Sequence, residues 1–212
     1  MDLKKQYSTT GLVGIYEAVN FMGLDILMED GQNFVKEILN TMNYINDKFS
    51  KQYNYMHNIE QVPAENSAIK LAEKDKMLGY QNKIHIYSNQ FIPLILKADM
   101  LDRINMQGLF DSYMSGGAIL HLNIEEKITN SNLISELIIQ TVKKGVIYFA
   151  ICYNLQKCEE GHISIGKNTN CQCGSLITDN YIRVVGFLVN TKSFHKVRRE
   201  EDVPHRQFYK GI

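Results

Sequence analysis

One glycine and a small group of cysteines near the C-terminus are the residues of this sequence best suited to chemistry. Gly186 interrupts an otherwise apolar run from Tyr181 to Leu188. A glycine within a strand-like run ordinarily marks a bulge, a bend or the close approach of another backbone. The alternative is that Gly186 itself reacts, because a Cα without a Cβ can become planar and delocalise a radical over the two flanking amides. The run alone leaves both interpretations open.

The cysteines precede this run in a polar, turn-rich stretch. Cys158, Cys171 and Cys173 lie there, and His162 follows Cys158 by four residues. Thiolate and imidazole ligands are typical of tetrahedral zinc, and four of them would make the metal structural because no position stays open for chemistry. The spacing is irregular, since the pairs are Cys-x-Cys and Cys-x-x-x-His rather than two Cys-x-x-Cys pairs. A zinc site and a metal-free loop both remain open. Cys152, in an apolar run, is predicted to pack as a small hydrophobic residue.

The overall composition bounds the possible partners. The chain has 212 residues, of which 44% are apolar, and its 23 basic residues balance 23 acidic ones. This balance gives no indication of a nucleic-acid partner or of a membrane surface. The apolar runs are too short to span a bilayer, and no apolar signal core follows the first residues. Four cysteines in such a chain favour reduced thiols or a metal over disulfides, so we expect a cytoplasmic protein.

Helical periodicity dominates residues 9–50. Residues 12–22 repeat apolar side chains at helical spacing, and residues 8–10 (Ser-Thr-Thr) would cap that helix. We expect breaks at Gly23 and at the Asp30-Gly31 pair, followed by a second helix to residue 49.

Two polar stretches follow. Pro63 just before Glu65 is typical of a helix start, where the helix dipole favours an acidic side chain. Glu65 is therefore either a helix-start carboxylate or a carboxylate aimed into a site. Residues 87–93, with Ser88 and Asn89 near their centre, are predicted to form a loop.

Residues 97–110 indicate a short helix, and Gly116-Gly117 then precede the alternating stretch 118–123. Alternation predicts a half-buried strand. Paired glycines permit tight backbone geometry and sometimes the close approach of a ligand. His121 in this strand is expected to be a satisfied core histidine.

The next two elements predict the fold class. Residues 131–144 form an amphipathic helix stopped by Gly145, and the apolar run 146–152 suits a strand buried on both faces. Strand, helix and strand in this order predict α/β layering within one structural unit.

Taken together, these stretches resemble the C-terminal part of anaerobic (class III) ribonucleoside-triphosphate reductases, which are glycyl radical enzymes. A cysteine loop followed by Arg-Val-x-Gly-aromatic-Leu carries the resemblance. Residues 63–67 (Pro-Ala-Glu-Asn-Ser), 87–91 (Tyr-Ser-Asn-Gln-Phe) and 115–121 are similar in the same order. The Arg-Val-x-Gly motif alone would also admit glycyl radical lyases, which lack the preceding cysteine loop.

The resemblance implies a fold and a set of partners. The fold is α/β, with the second half of a ten-stranded barrel over residues 1–150, and the cysteine (zinc) loop and glycyl radical domain over residues 151–212. A radical S-adenosylmethionine activase would form the radical. A cysteine on a finger loop would then remove the 3′ hydrogen of the nucleotide substrate, and formate or a redox protein would supply electrons. The full enzyme would be a dimer.

The resemblance also implies site residues. Gly186 would carry the radical, Arg183 would hold its loop, and Glu65 would take a catalytic role. The implied substrate contacts are Ser88, Asn89, Gly116 and Gly117, and the implied zinc ligands are Cys158, His162, Cys171 and Cys173.

Some features depart from the family pattern. Phe187 stands where the family usually has tyrosine, and the family's zinc pairs are usually Cys-x-x-Cys. The resemblance covers roughly the last third of such an enzyme, so the finger-loop cysteine and most of the nucleotide site would lie upstream of Met1. We therefore expect a chain that needs an N-terminal reductase half and is inactive alone. The alternative is a non-catalytic, zinc-stabilised module that binds a partner and retains a degenerate glycyl radical motif.

Overall fold

The computed structural model describes residues 5–210, in which helices and parallel strands come first and an antiparallel sheet follows. The elements in chain order are β1 (Tyr7–Gly11), α1 (Ile15–Phe21), α2 (Glu29–Tyr53), β2 (Met56–Glu60), α3 (Glu65–Met77), α4 (Met100–Asp111), β3 (Leu120–Asn123), α5 (Ser131–Lys143), β4 (Phe149–Cys152), β5 (Leu155–Cys158), β6 (Ile163–Ile165), β7 (Ile177–Val184) and β8 (Phe187–Asn190). Short helical turns follow β8, including a π-helical turn at Arg198–Asp202.

Two pairs of parallel strands make up the first part. β1 pairs with β2, and β3 pairs with β4, each in parallel. Parallel neighbours need a crossover connection, which α1 and α2 supply for the first pair and α5 for the second. A parallel bridge between Glu60 and Gly117 joins the two pairs. The predicted α/β layering is confirmed, and the larger ten-stranded barrel stays a prediction.

The main core lies between the helices and β2. Phe110 of α4 is fully buried and packs against Phe91, with 4.7 Å between ring centroids. Val35 and Leu39 of α2 are also fully buried in this cluster. A second cluster packs α5 against β3 through Leu137 and neighbouring apolar residues. The predicted apolar stripes are confirmed in part: Ile15, Val19 and Leu137 are buried, but Ile45 and Phe49 are exposed, because the buried face of α2 is centred on Val35 and Leu39.

The start of the chain differs from the prediction. Residues 8–10 do not cap a helix but lie in the exposed strand β1, and Gly14 precedes the first helical residue. Gly31 does not break the second helix, because α2 begins at Glu29. A Cβ at Gly31 would lie 2.0 Å from the carbonyl oxygen of Asp25, so this glycine permits a close chain approach inside the first helical turn.

The burial of β3 and of β4 is also the reverse of the prediction. All four residues of β3 are buried, although its alternating sequence predicted a half-buried strand. β4 alternates between half-buried and buried residues, although its continuous apolar sequence predicted burial on both faces. Polar members of β3 are tolerated inside because they find partners, as the side chain of Asn123 does by donating to the carbonyl of Gln207.

A long irregular stretch between α3 and α4 is held by one buried arginine. Arg103 of α4 donates to the carbonyl oxygens of Ile92 (2.7 Å) and Leu96 (2.6 Å), and to the hydroxyl of Tyr209 (2.8 Å). Its guanidinium therefore ties this stretch to the C-terminal segment. Residues 87–93 lie within the stretch and form a loop, as predicted.

The second part is an antiparallel sheet in the order β6-β5-β7-β8. β5 and β6 form one hairpin, and β7 and β8 form another, with Val184 opposite Phe187 at its closed end. Among residues 5–210, no helix combines the length and the apolar character needed to cross a membrane.

Candidate functional site: a glycine hairpin, a cysteine cluster and a cavity

Gly186 lies in the two-residue turn between β7 and β8. The residue is exposed, and a Cβ built on it would meet no atom within 4 Å. Its neighbour Val185 has φ 51°, a left-handed conformation that is rare for a β-branched residue. The glycine is therefore part of a bend, as one sequence interpretation held, and its position at a hairpin tip leaves the reactive interpretation open.

Arg183 lies at the base of the same hairpin. Its Nη1 atom is 3.5 Å from the carbonyl oxygen of Val185, a long contact with the backbone of the turn. The position agrees with the implied role of holding the loop. The charge of Arg183 also contributes, after burial and Arg206, to lowering the pKa of His121 in β3.

The structure brings all four predicted metal ligands together. The ligand atoms of Cys158, His162, Cys171 and Cys173 all lie within 4.8 Å of one another. The Sγ of Cys158 is 3.7 Å from the Nδ1 of His162 and 3.9 Å from the Sγ of Cys173. A tetrahedron with a Zn–S distance of about 2.3 Å has ligand separations of about 3.8 Å. The donor set therefore fits tetrahedral zinc.

Two tight turns explain how the irregular spacing still converges. Cys158 and His162 flank the β5–β6 turn, where Gly161 donates its N–H to the carbonyl of Cys158 at 2.9 Å. Cys171 and Cys173 lie in a second turn, which Gly174 closes by donating to the carbonyl of Cys171 at 2.9 Å. Both glycines adopt positive φ, 84° and 92°, which other residues adopt only at a cost.

The cluster extends from the interior to the surface, and its most exposed thiol has a lowered pKa. Cys158 is buried, whereas Cys173 is exposed. Hydrogen bonds from Ser175, followed by that from His162, lower the pKa of Cys173 to about 6, which favours the thiolate that binds metal. Cys152 lies outside this cluster, in β4.

The cysteine cluster and the glycine turn lie at opposite ends of one strand. Cys158 is aligned with Ile177, the first residue of β7, and the turn follows Val184, its last residue. Eight residues of strand separate the two by roughly 25 Å. A metal in the cluster would therefore stabilise the sheet that carries Gly186 without touching it.

Ser88 and Asn89 line a cavity of about 940 Å³ between α1, the irregular stretch and the C-terminal segment. Glu17 and Arg206, which the sequence analysis did not select, line it too. Oε1 of Glu17 accepts from the backbone N–H of Ser88 at 2.9 Å, whereas its Oε2 is buried without a hydrogen-bond partner among the described residues. Burial raises the pKa of this carboxyl group, despite the hydrogen bond from Ser88. Periodicity could not single out Glu17, because α1 presents it like any helical acid.

The other implied substrate residues do not line this cavity. Gly116 donates its N–H to the carbonyl of Ile59 at 2.7 Å, and a Cβ there would lie 2.9 Å from that oxygen. Gly117 forms the bridge to Glu60. Gly116 thus permits close packing against β2, whereas Gly117 joins β2 through its backbone and adopts a positive φ of 113°. Glu65 is the first residue of α3, as the helix-start interpretation expected, and its side chain lies outside the described part of the chain.

Comparison with known proteins identifies the family. The sequence profile described as "Anaerobic ribonucleoside-triphosphate reductase" matches residues 2–209. A solved structure described as "Anaerobic ribonucleotide reductase" is 39% identical, covers 100% of this chain and 35% of its own, and has a TM-score of 0.91. The Thermotoga maritima anaerobic ribonucleotide reductase with glycerol in the active site is 39% identical over 92% of this chain and 34% of its own, with a TM-score of 0.82. The same reductase in complex with dATP and CTP is 39% identical over 92% of this chain and 33% of its own, with a TM-score of 0.81.

The chain spans about one third of the length of these reductases and superposes on them over nearly all of its own length. No curated protein matches the sequence significantly. The range matched by the profile contains every stretch that carries the resemblance seen in the sequence. The chain therefore belongs to the anaerobic ribonucleoside-triphosphate reductase family.

Proposed function

We propose that this chain is the glycyl radical portion of an anaerobic ribonucleotide reductase and that Gly186 carries the stored radical. The observation that supports this most directly is the position of Gly186 at an exposed hairpin tip with open space around its Cα. An activase can reach such a tip to remove a hydrogen atom. The tip can then insert into the remainder of the reductase.

The reaction proceeds by hydrogen-atom transfers. The activase removes one α-hydrogen atom from Gly186. The glycine radical then takes the hydrogen atom of a cysteine S–H group supplied by the remainder of the reductase, which leaves a thiyl radical there. The thiyl radical removes the 3′ hydrogen of the ribonucleotide, the 2′ hydroxyl leaves as water, and formate or a redox protein supplies two electrons.

The remainder of the reductase also shields the radical. Phe187 and Leu188, next to Gly186, are 61% and 52% exposed in this chain. A stored radical must be kept from water and oxygen, so the two apolar side chains are proposed to pack inside the completed enzyme. Because the remainder of the reductase also supplies the thiyl cysteine, the chain should be inactive alone.

The cavity lined by Ser88 and Asn89 is proposed to contribute to nucleotide binding. Glu17 lines this cavity and its Oε2 has no hydrogen-bond partner among the described residues, so this oxygen can accept a hydrogen bond from a substrate hydroxyl. Zinc held by Cys158, His162, Cys171 and Cys173 would be structural, because the four ligands leave no open coordination position.

Electron paramagnetic resonance tests this function. The chain is mixed anaerobically with the N-terminal reductase half, an activase shown to be competent and S-adenosylmethionine. We expect a doublet from coupling to the remaining α-hydrogen of Gly186, and ribonucleotide reduction once substrate and reductant are added. Gly186→Ala should abolish the doublet without unfolding the chain, because its Cβ has space.

The matched control is Val185→Ala, which alters the same turn and keeps Gly186. This variant should retain the doublet. A doublet that persists in Gly186→Ala would exclude the assignment. Absence of any signal in the wild-type mixture would instead favour the non-catalytic module with a degenerate motif.

A further inference from the structure

A second cavity, of about 440 Å³, lies between the antiparallel sheet and the C-terminal segment. It is separate from the cavity of Ser88 and Asn89, since the two lie on opposite sides of the π-helical turn at Arg198–Asp202 and share only Arg206. Its size lies within the range of about 300–1,000 Å³ that is usual for small-molecule sites.

The charges lining this cavity are all of one sign. Among the described residues, four cationic side chains and no carboxylate line it; the cations are Lys167, Lys192, Arg199 and Arg206. Two of the four cations are paired with carboxylates, Asp179 and Asp202, that do not line the cavity. Arg206 donates to Asp202 at 2.8 and 2.7 Å, and the Nζ of Lys192 is 3.0 Å from Asp179.

The remaining two cations have no such partner. Among the described residues, neither Lys167 nor Arg199 lies within 4.0 Å of a carboxylate. Lys167 is instead held over the ring of Phe208, with 4.8 Å from Nζ to the ring centroid. The cavity therefore presents an uncompensated charge of about +2 that an anion would complement.

A buried amide network holds the side chain of Asn180, which also lines the cavity. Gln156 is 4% exposed, and its Nε2 donates to the Oδ1 of Asn180 at 3.1 Å and to the carbonyl of Asn168 at 2.9 Å. Because the Oδ1 of Asn180 is engaged by Gln156 and no described residue accepts from its Nδ2, the amide keeps a donor available. A prepared donor beside two cations is the arrangement that binds phosphate oxygens.

We propose that this cavity binds a phosphate-bearing small molecule, with Lys167, Arg199 and Asn180 holding the phosphate oxygens. The apolar side chains of Pro204 and Phe208 also line the cavity and offer a surface for a base. The proposal extends beyond radical chemistry and does not depend on the role of Gly186.

Isothermal titration of the purified chain with pyrophosphate and, separately, with ADP tests the proposal without any radical step. We expect saturable binding that weakens as NaCl is raised, because charge pairing is screened by salt. Arg199→Glu and Lys167→Glu should each weaken binding by about tenfold or more. Lys196→Ala is the matched control, because this lysine pairs with Glu200 and does not line the cavity.

The two ligands separate the possible sources of the phosphate. Tighter binding of ADP, reduced to the pyrophosphate level by Phe208→Ala, identifies a nucleotide. Equal binding of both identifies the inorganic ligand. The proposal is overturned if neither binds, if sulfate binds equally well, or if folded Arg199→Glu and Lys167→Glu bind like the wild type. Circular dichroism of each variant establishes that it is folded.

Discussion

The Nδ1 atom of His121 lies 3.2 Å from the Sγ atom of Cys152, across the β3–β4 pair and with both side chains buried. Burial, with the positive charges of Arg206 and Arg183, lowers the pKa of His121 to about 4. Burial also raises the pKa of the Cys152 thiol to about 11. At neutral pH the two groups therefore form a neutral thiol–imidazole contact and not an activated thiolate. Cys152 packs as a buried residue, as predicted, but it has a polar partner that the sequence did not indicate.

The buried histidine should make the chain sensitive to acid. A histidine whose folded-state pKa is depressed stabilises the fold fully above its unfolded pKa of about 6.5, and this stability is lost as the pH falls towards about 4. The loss below both values amounts to about 3 kcal/mol. Urea unfolding at a series of pH values should show it, and His121→Gln should remove this part of the slope. His195→Gln, an exposed control, should leave the slope unchanged; equal slopes in the wild type and His121→Gln would contradict the prediction.

The cysteine cluster should bind about one zinc ion per chain. Cys158→Ser should lose the metal and lower the melting temperature, because binding energy in a structural zinc site is folding energy. Cys152→Ser is the matched control and should keep the metal, since this residue lies outside the cluster. Metal content measured by mass spectrometry decides the matter. Equal zinc in both variants would show that the cluster is not the binding site.

His162 can be tested by restoring the usual ligand type. His162→Ala should weaken zinc binding, because one of the four converging donors is removed. His162→Cys should bind zinc like the wild type if a thiolate fits at the same position. A chelator competition assay compares the three proteins. Unchanged affinity in His162→Ala would exclude His162 as a ligand.

The hairpin turn contains strain that a glycine would relieve. Val185 has φ 51°, and a left-handed conformation of a non-glycine residue costs on the order of 1–2 kcal/mol. Val185→Gly should therefore stabilise the fold by about 1 kcal/mol in urea unfolding. Val189→Gly, in the adjoining strand β8, should instead destabilise it, since glycine weakens a strand interior. Destabilisation by both substitutions would argue against strain at Val185.

Arg103 should be among the costliest positions to change. Arg103→Ala removes three hydrogen bonds shorter than 3.0 Å from a side chain that is 3% exposed, so we expect a loss of about 3 kcal/mol or more. Arg199→Ala, the same change at an exposed position, should lie within about 0.5 kcal/mol of the wild type. Urea unfolding of both variants tests the contrast, and similar losses in the two would contradict it.

The local sequence pattern predicted most helices, because apolar residues spaced three or four positions apart lie on the same face of a helix. α4 and α5 lie close to where periodicity placed them. β1 was missed because residues 8–10 resemble a helix cap, whereas their strand conformation depends on pairing with β2, over forty residues away. The burial of β3 and β4 likewise depends on which elements cover each face of the sheet. The sequence of the strand alone does not determine those neighbours.

For the candidate site too, the sequence indicated the residue types but not how they come together in space. Cysteine and histidine types indicated a metal, but their convergence depends on the turns at Gly161 and Gly174 and on the pairing of β5 with β7. Glu17 and Ser88 come together from distant parts of the chain, so no local motif could connect them. The proposed role of Gly186 comes from the resemblance, and only the structure shows that this residue is exposed at a hairpin tip.

The strand β1 has a consequence for how the chain opens. All five of its residues are exposed, and within residues 5–210 it pairs with β2 alone. One edge of β1 therefore offers a row of backbone groups to solvent, and little apolar burial holds the strand in place. In native-state hydrogen exchange the amides of β1 should lose protection well before those of the buried strand β3, which makes β1 the first element to detach and the edge at which a further strand can add.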